Sequence, residues 1–230
     1  KNEGVDHMAT FKQIKGFVFD LDGVITDTSL YHTKAWRQLA EKLGVTWNKD
    51  LEEGLKGISR MDSLELILKT GGKENDYSHD EKVALATEKN TNYVNEIKKM
   101  TPANILPGIK DFLDDLRDKG YLISLASASK NGPTVLKQLQ LTDYFPKVVD
   151  PATLSKGKPD PEIYTKGAEL LDLAPEECIG VEDAEAGIQA INAAHETSVG
   201  IGDAKTLAAA DVRFDDTAQM TLANIEKAMG

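Results

Sequence analysis

The sequence predicts an α/β protein: a three-layer, Rossmann-like core with a mostly parallel sheet, interrupted near its start by an inserted α-helical cap domain. Three observations lead there. Short apolar runs bounded by Gly, Pro or polar residues recur at 16–19, 121–126, 147–149, 178–181 and 197–201. Between residues 28 and 100 the apolar spacing is helical, with no strand pattern. Beyond residue 100, strands and helical segments alternate, which implies βαβ units, right-handed crossovers and a parallel sheet covered on both faces.

Taken in order, residues 1–10 show no apolar periodicity and read as a disordered lead or expression remnant before a natural start near Met8. The run Gly16-Phe17-Val18-Phe19 reads as a buried strand. Over residues 28–43, Leu30, Trp36, Leu39, Ala40 and Leu43 recur at helical spacing, and Gly44 supplies the stop. Further helices are expected at 51–55, at 61–69 with Asp62 in an acidic first turn, and at 80–100. After Pro107-Gly108 come a helix at 109–119 ending at Gly120, a strand at 121–126, a helix at 132–139 and a short strand at 147–149. A helix at 161–173, a strand at 178–181, a helix at 186–194, a strand at 197–201 and a short edge strand near 212–214 complete the pattern. The expected division assigns 11–27 and 101–230 to the core and 28–100 to the cap.

At 230 residues, 40% of them hydrophobic, the chain can bury a substantial core. Its formal net charge of −11 argues against non-specific nucleic-acid binding, which depends on a basic surface. An anionic substrate must therefore meet a local concentration of Lys and Arg. No apolar stretch is long enough to span a membrane. The single Cys178 leaves no partner for an internal disulfide, which fits a reducing, cytoplasmic setting. At the start of an apolar strand, that thiol reads as structural rather than nucleophilic. A monomer is the default expectation.

Four polar signals follow strands. In the first, Asp20-Leu21-Asp22-Gly23, side-chain alternation sends both carboxylates from the same face. Carboxylates that close repel each other and are costly to desolvate unless a cation or a shared proton compensates. Such a pair can hold Mg²⁺ while one oxygen stays free to attack, although Asp-x-Asp alone is more often a solvated strand end. The second signal is Ser127-Ala128-Ser129-Lys130-Asn131-Gly132. There a hydroxyl and backbone N–H groups can hold a phosphate oxygen, and an N-capping Ser is the simpler reading of that segment by itself. The third is Lys158-Pro159-Asp160-Pro161, an ammonium on a stiff segment that can face phosphate or simply be solvated. The fourth is Glu182-Asp183. Mg²⁺ takes one or two carboxylates plus waters and substrate phosphate, a set that Asp20, Asp183 and a backbone carbonyl near Asp22 can supply. The four signals, each past a strand and in this order, point together to phosphoryl chemistry.

That constellation resembles the haloacid dehalogenase superfamily of phosphoryl-transfer enzymes over nearly all of residues 11–230, and the helical insertion is similar to the cap of its first cap subclass. Asp20-Leu-Asp-Gly-Val-Ile-Thr-Asp-Thr28, His32 with Trp36, and Leu55-Lys56-Gly57-Ile58-Ser59-Arg60 narrow the resemblance to its β-glucose phosphomutase branch. Lys89-Asn90 with Asn92-Tyr93, and the segment from Ala126 to Asn131, extend it. The reaction implied interconverts β-D-glucose 1-phosphate and glucose 6-phosphate through β-glucose 1,6-bisphosphate, with Mg²⁺ as cofactor and the bisphosphate as intermediate and activator. The partner implied is a small-molecule sugar phosphate, with neither nucleic acid nor membrane involved.

The resemblance implies that Asp20 is the nucleophile and forms an aspartyl-phosphate, and that Asp22 is the general acid and base. The metal falls to Asp20, Asp22, Glu182 and Asp183, with Glu182 acting through a metal-bound water or as a support. Ser127 and Lys158 would hold the transferring phosphoryl. Because the bisphosphate must present each phosphate in turn, a second anion site is implied: Arg60 as a bidentate partner, Ser129, Lys130 and Asn131 from the core, and Lys56 near the sugar. His32 with Lys89 is implied to link cap closure to the positioning of Asp22, and closure to keep water from the aspartyl-phosphate. Without the resemblance His32 reads as an ordinary helix residue; Trp36, carried with it as a candidate contact, reads as core.

Two residues depart from the family pattern. Ala184 stands where several members carry Ser, and His195-Glu196 occupies a turn that often carries Gly, which puts that helix end in doubt. Three rival readings share the core motifs: a sugar-phosphate or phosphoglycolate-type phosphatase, a receiver-like phospho-accepting switch, and a phosphonate-cleaving relative with a Schiff-base Lys in the cap. The long helical insertion does not suit a receiver. Arg60, Lys89 and His32 together argue for retaining a bisphosphate and against simple hydrolysis.

Overall fold

The computed structural model describes residues 8–55 and 59–230. Most of the expected lead, residues 1–7, and the candidate Lys56 lie outside them. The chain divides into two compact units, one of residues 1–27 with 101–230 and one of residues 28–100.

The second unit is helical: α1 (Ser29–Lys42), α2 (Lys49–Gly54), α3 (Arg60–Thr70) and α4 (His79–Ile97). Local chemistry sets the helix starts. The Asn48 side chain accepts from the Leu51 N–H, Ser59 Oγ accepts from the Asp62 N–H, and Ser78 exchanges hydrogen bonds with Glu81 in a capping box. That box starts α4 at His79, and the helix ends at Ile97, three residues before the expected limit, where tighter turns carry the chain through Met100. Gly44 at φ 73° closes the end of α1 as its sequence position requires. Trp36, Leu39 and Ala40 of α1, Leu51 of α2, Leu64, Ile67 and Leu68 of α3 and Ala86 of α4 share one apolar core.

The other unit holds a parallel six-stranded sheet of β1 (Gly16–Phe19), β2 (Leu122–Leu125), β3 (Lys147–Val148), β4 (Cys178–Glu182), β5 (Thr197–Ile201) and β6 (Val212–Phe214). Their order is β3-β2-β1-β4-β5-β6, with β6 on an edge as expected. The helices are α5 (Ile109–Asp118), α6 (Gly132–Gln138), α7 (Glu162–Leu170), α8 (Glu185–Ala193) and α9 (Leu222–Met229). Strand alternation divides the layers. Phe17 and Phe19 meet Phe112 of α5 on one face, whereas Val18 joins Ile163, Tyr164 and Ala168 of α7 and Ile188 and Ile191 of α8 on the other. The sheet is thus covered on both sides, in accord with the α/β expectation.

Helix α9 follows the last expected strand, near 212–214, and is not among the expected elements, since eight residues are too few to show a sustained period. Helix α7 stops at Leu170 instead of residue 173, because Leu171 and Asp172 turn the chain and Asp172 takes φ 55°. His195 itself adopts φ 64° past α8, filling the left-handed position that commonly goes to Gly, so that helix end forms despite the departure. Cys178 is buried, and burial followed by the Glu196 charge pushes its thiol up to about 12, in keeping with a structural role.

Candidate active site

The chain leaves β1 toward β2 on one side and reaches β4 on the other, so the carboxyl ends of β1 and β4 flank a topological switch point. Asp20 directly follows β1, and its N–H bonds the Val181 carbonyl at 3.0 Å, which keeps it in line with the sheet and buried. Asp22 lies beyond the strand and differs from Asp20 in exposure. The strand ends at Phe19, the chain bends at Leu21, and Asp22 sits exposed in a turn in which the Gly23 N–H bonds the Thr26 carbonyl at 2.7 Å. Alternation along a strand therefore does not apply to this pair; turn geometry separates their environments.

Lys158 joins the two strand ends. Its Nζ lies 3.2 Å from Asp20 Oδ1 and 2.8 Å from Glu182 Oε2. The Lys158–Pro159 peptide is cis. Glu182, the last residue of β4, is 1% exposed and saturated with donors. Tyr164 donates its hydroxyl to Oε2 at 2.6 Å, while the N–H groups of Asp183 and Ala184 donate to Oε1 at 3.2 and 3.4 Å. Asp20, Glu182 and Asp183 each place a carboxylate oxygen within 4.8 Å of the others, the group of metal-ligand type found among the described residues. Asp22 contributes its charge to Asp183, and its carboxylate is not in that group.

Two glycines make room for these acids. A Cβ on Gly23, at φ 77°, would stand 1.9 Å from Asp183 Oδ2, and one on Gly187 in α8 would stand 2.0 Å from Glu182 Cδ. The electrostatics follow from crowding. Burial and then the Glu182 charge hold the Asp20 carboxyl well above its ordinary range. Asp183, though its surface is exposed, is raised to about 7 by partial shielding from water and by Glu182. Burial pulls Lys158 down, but Asp20 and Glu182 outweigh it and hold the ammonium above the usual lysine range. One ammonium faces three carboxylates. A hard divalent cation matches this all-oxygen donor set and its uncancelled negative charge.

Ser127 follows β2 and is buried; its Oγ accepts the Ser129 N–H at 3.1 Å, and Ser129 Oγ accepts the Asn131 N–H at 3.1 Å. Ser127, Ser129 and the exposed Lys130 help line a cavity of about 440 Å³ whose remaining walls include Val148, Pro133 and Pro151.

In the helical unit, His32 Nδ1 lies 2.9 Å from Lys89 Nζ, and its ring stacks on Tyr93 at 3.8 Å between centroids. Lys89 is buried, with its ammonium 4.8 Å from the Trp36 ring centre and 5.1 Å from that of Tyr93. Trp36 belongs to the apolar core and presents a face to this ammonium. Burial, then the charges of Lys89 and Arg60, lower His32 to about 4; burial and Arg60 lower Lys89 to about 8. At neutral pH His32 is therefore neutral and accepts through Nδ1 from the lysine. Arg60 opens α3 and is exposed.

Tyr164 and Gly187 lie outside the four polar signals of the sequence, and Gly23 only ends the first of them. A Tyr in a helix buried against a sheet must find a hydroxyl partner, and that was the available signal.

Comparison with known proteins identifies the family. The model of the haloacid dehalogenase-like hydrolase family matches residues 14–195. The chain is 46% identical over 209 residues to a β-phosphoglucomutase of Bacillus subtilis, covering 91% of this chain and 92% of that one. It is 27% identical over 186 residues to a phosphorylated carbohydrates phosphatase of Thermotoga maritima, covering 79% and 82%. The crystal structure of a β-phosphoglucomutase from Clostridium difficile superposes with a TM-score of 0.81 at 45% identity, covering 94% of this chain and 97% of that one.

Proposed function

The chain belongs to the haloacid dehalogenase-like hydrolase family, and from that premise we propose that it is a Mg²⁺-dependent β-phosphoglucomutase, interconverting β-D-glucose 1-phosphate and glucose 6-phosphate. The observation that carries the phosphoryl chemistry is the Lys158 ammonium bridging Asp20 and Glu182 beside Asp183. The choice of a mutase over a phosphatase rests on the 46% identity and on the polar residues of the helical unit.

In this reading Asp20 attacks the phosphoryl group in line and carries it as an aspartyl-phosphate, dividing one difficult transfer into two. Lys158 and Ser127 hold the phosphoryl oxygens; the lysine stays charged because both of its carboxylate neighbours favour the ammonium. Asp22, on its exposed turn, gives a proton to the departing sugar oxygen and takes one from the hydroxyl that attacks next. Asp20 and Asp183 would hold the metal directly, with Glu182 as a support because its oxygens are already engaged by Tyr164, Lys158 and two backbone N–H groups. When bound, Mg²⁺ neutralises phosphoryl charge and relieves the repulsion among these carboxylates.

β-Glucose 1,6-bisphosphate is the intermediate and activator in this scheme, and its non-reacting phosphate needs cations of its own. Arg60 on the helical unit is assigned a guanidinium fork for that phosphate, and Ser129, Lys130 and Asn131 are assigned phosphate contacts on the core. His32 and Lys89, 2.9 Å apart, are assigned as a pair to linking cap closure with the positioning of Asp22. The enzyme is read as a cytoplasmic monomer acting on a small sugar phosphate. Among the described residues no helix is long and apolar enough to cross a membrane.

The deciding experiment supplies β-glucose 1-phosphate, Mg²⁺ and trace glucose 1,6-bisphosphate, and follows glucose 6-phosphate and free phosphate separately. Glucose 6-phosphate with little phosphate release is expected. Phosphate release without isomerisation would replace the mutase reading with a sugar-phosphate phosphatase.

A further inference from the structure

Tyr164 is fully buried on α7, in the layer that covers one face of the sheet, and it touches both partners of the central ion pair. Its hydroxyl lies 2.6 Å from Glu182 Oε2, and the Lys158 ammonium lies 5.2 Å from the centre of its ring. The next acceptor near that hydroxyl, the Val181 carbonyl, is 3.5 Å away, so the single phenolic proton goes to Glu182. Glu182 Oε2 therefore accepts two hydrogen bonds, one from Tyr164 and one from Lys158.

We propose that Tyr164 is a positioning residue: it clamps Glu182 and shares its charge, so that Lys158 stays divided between Glu182 and the nucleophile Asp20. The physical reason lies in the competition for one cation. A buried carboxylate that lacks a neutral donor draws the whole of its compensation from the ammonium beside it. Glu182 would then pull Lys158 from Asp20, where the contact is already the longer of the two at 3.2 Å against 2.8 Å. The hydroxyl satisfies part of that demand. The ring adds a floor beneath the ammonium through cation–π attraction and leaves Lys158 free to follow the phosphoryl group. A tyrosine serves here where a second cation would not, because it donates without cancelling the charge that Lys158 needs for its own anchoring.

This inference rests on the reading of Asp20 as nucleophile and Lys158 as phosphate ligand. Tyr164→Phe removes one oxygen and keeps the ring, so the packing and the cation–π contact persist. The expected result is a roughly tenfold weaker dissociation constant for inorganic phosphate in the presence of Mg²⁺, measured calorimetrically. It is the fold-change for one hydrogen bond to a charged group. A rise of about tenfold in KM, with a far smaller change in kcat, should accompany it, because the lost contact already acts in the ground state. In a Glu182→Gln background the same substitution should add less than about twofold, because the group through which Tyr164 acts is altered. Unchanged phosphate affinity in Tyr164→Phe, or the same loss with and without Glu182→Gln, would overturn the proposal. The phosphate titration decides this even if the parent enzyme fails to isomerise β-glucose 1-phosphate, an outcome that would reject only the mutase reading.

Discussion

At the scale of single residues, the site is a problem in cancelling charge. Lys158 is the one cation in contact with Asp20 and Glu182 among the described residues, so Lys158→Met should lower kcat by about 100- to 1000-fold, as loss of a principal oxyanion donor does. Steady-state isomerisation rates check this. Glu196 presents a different case: it is 3% exposed, and among the described residues no protein group hydrogen-bonds either carboxyl oxygen. Burial holds its pKa well above the ordinary 4.5, so the folded protein keeps a proton that the unfolded chain releases. Above the unfolded value the unfolded state binds fewer protons, and stability falls as pH rises toward the folded value. Urea midpoints should therefore drop less between about pH 5 and pH 8 for Glu196→Gln than for the parent, and parallel curves would contradict this. Residue types at Asp20, Ser127, Lys158 and Glu182-Asp183 were legible in the sequence because their chemistry is local. The burial of Glu196 was not, because a Glu beside an exposed His reads as surface.

At the scale of elements, close approach governs. Helix α8 packs so tightly behind β4 that a Cβ on Gly187 would overlap Glu182 carbons at 2.0 Å. Gly187→Ala should cost about 1–3 kcal/mol through overpacking, outweighing its better helix propensity, and should weaken Mg²⁺ binding because Glu182 is the atom group displaced. Urea unfolding and a Mg²⁺ titration test the two halves of that statement. The start of α4 is set by its capping box, and α4 carries Lys89 and Tyr93 toward His32. Ser78→Ala should cost about 1 kcal/mol of stability, read by chemical denaturation. The existence of every helix but the short α9 was visible from spacing. Boundaries shifted by up to a few residues, because side-chain caps such as Ser78 and a left-handed residue such as Asp172 decide where a periodic run stops.

At the scale of the whole molecule, the proposed distinction between a mutase and a phosphatase resides in the helical unit, and Arg60→Ala tests it. Glucose 6-phosphate formation should fall by at least about 100-fold, the effect of losing a bidentate phosphate partner, while hydrolysis of a simple phosphoester falls much less. Equal losses in both assays would remove Arg60 from the second-phosphate role. Chelation of the divalent cation should stop both reactions, and added Mg²⁺ should restore them. The sequence by itself determined the fold class, the order of the polar signals and the helical insertion, because each is written in short-range periodicity and in residues next to strand ends. Only the tertiary structure decided that Asp20 and Asp22 occupy different environments, that Trp36 supports an ammonium, and that Tyr164 and Gly187 serve Glu182. Those facts depend on which atoms meet across the sheet and between helices, and separation along the chain carries no record of such contacts until the packing is known.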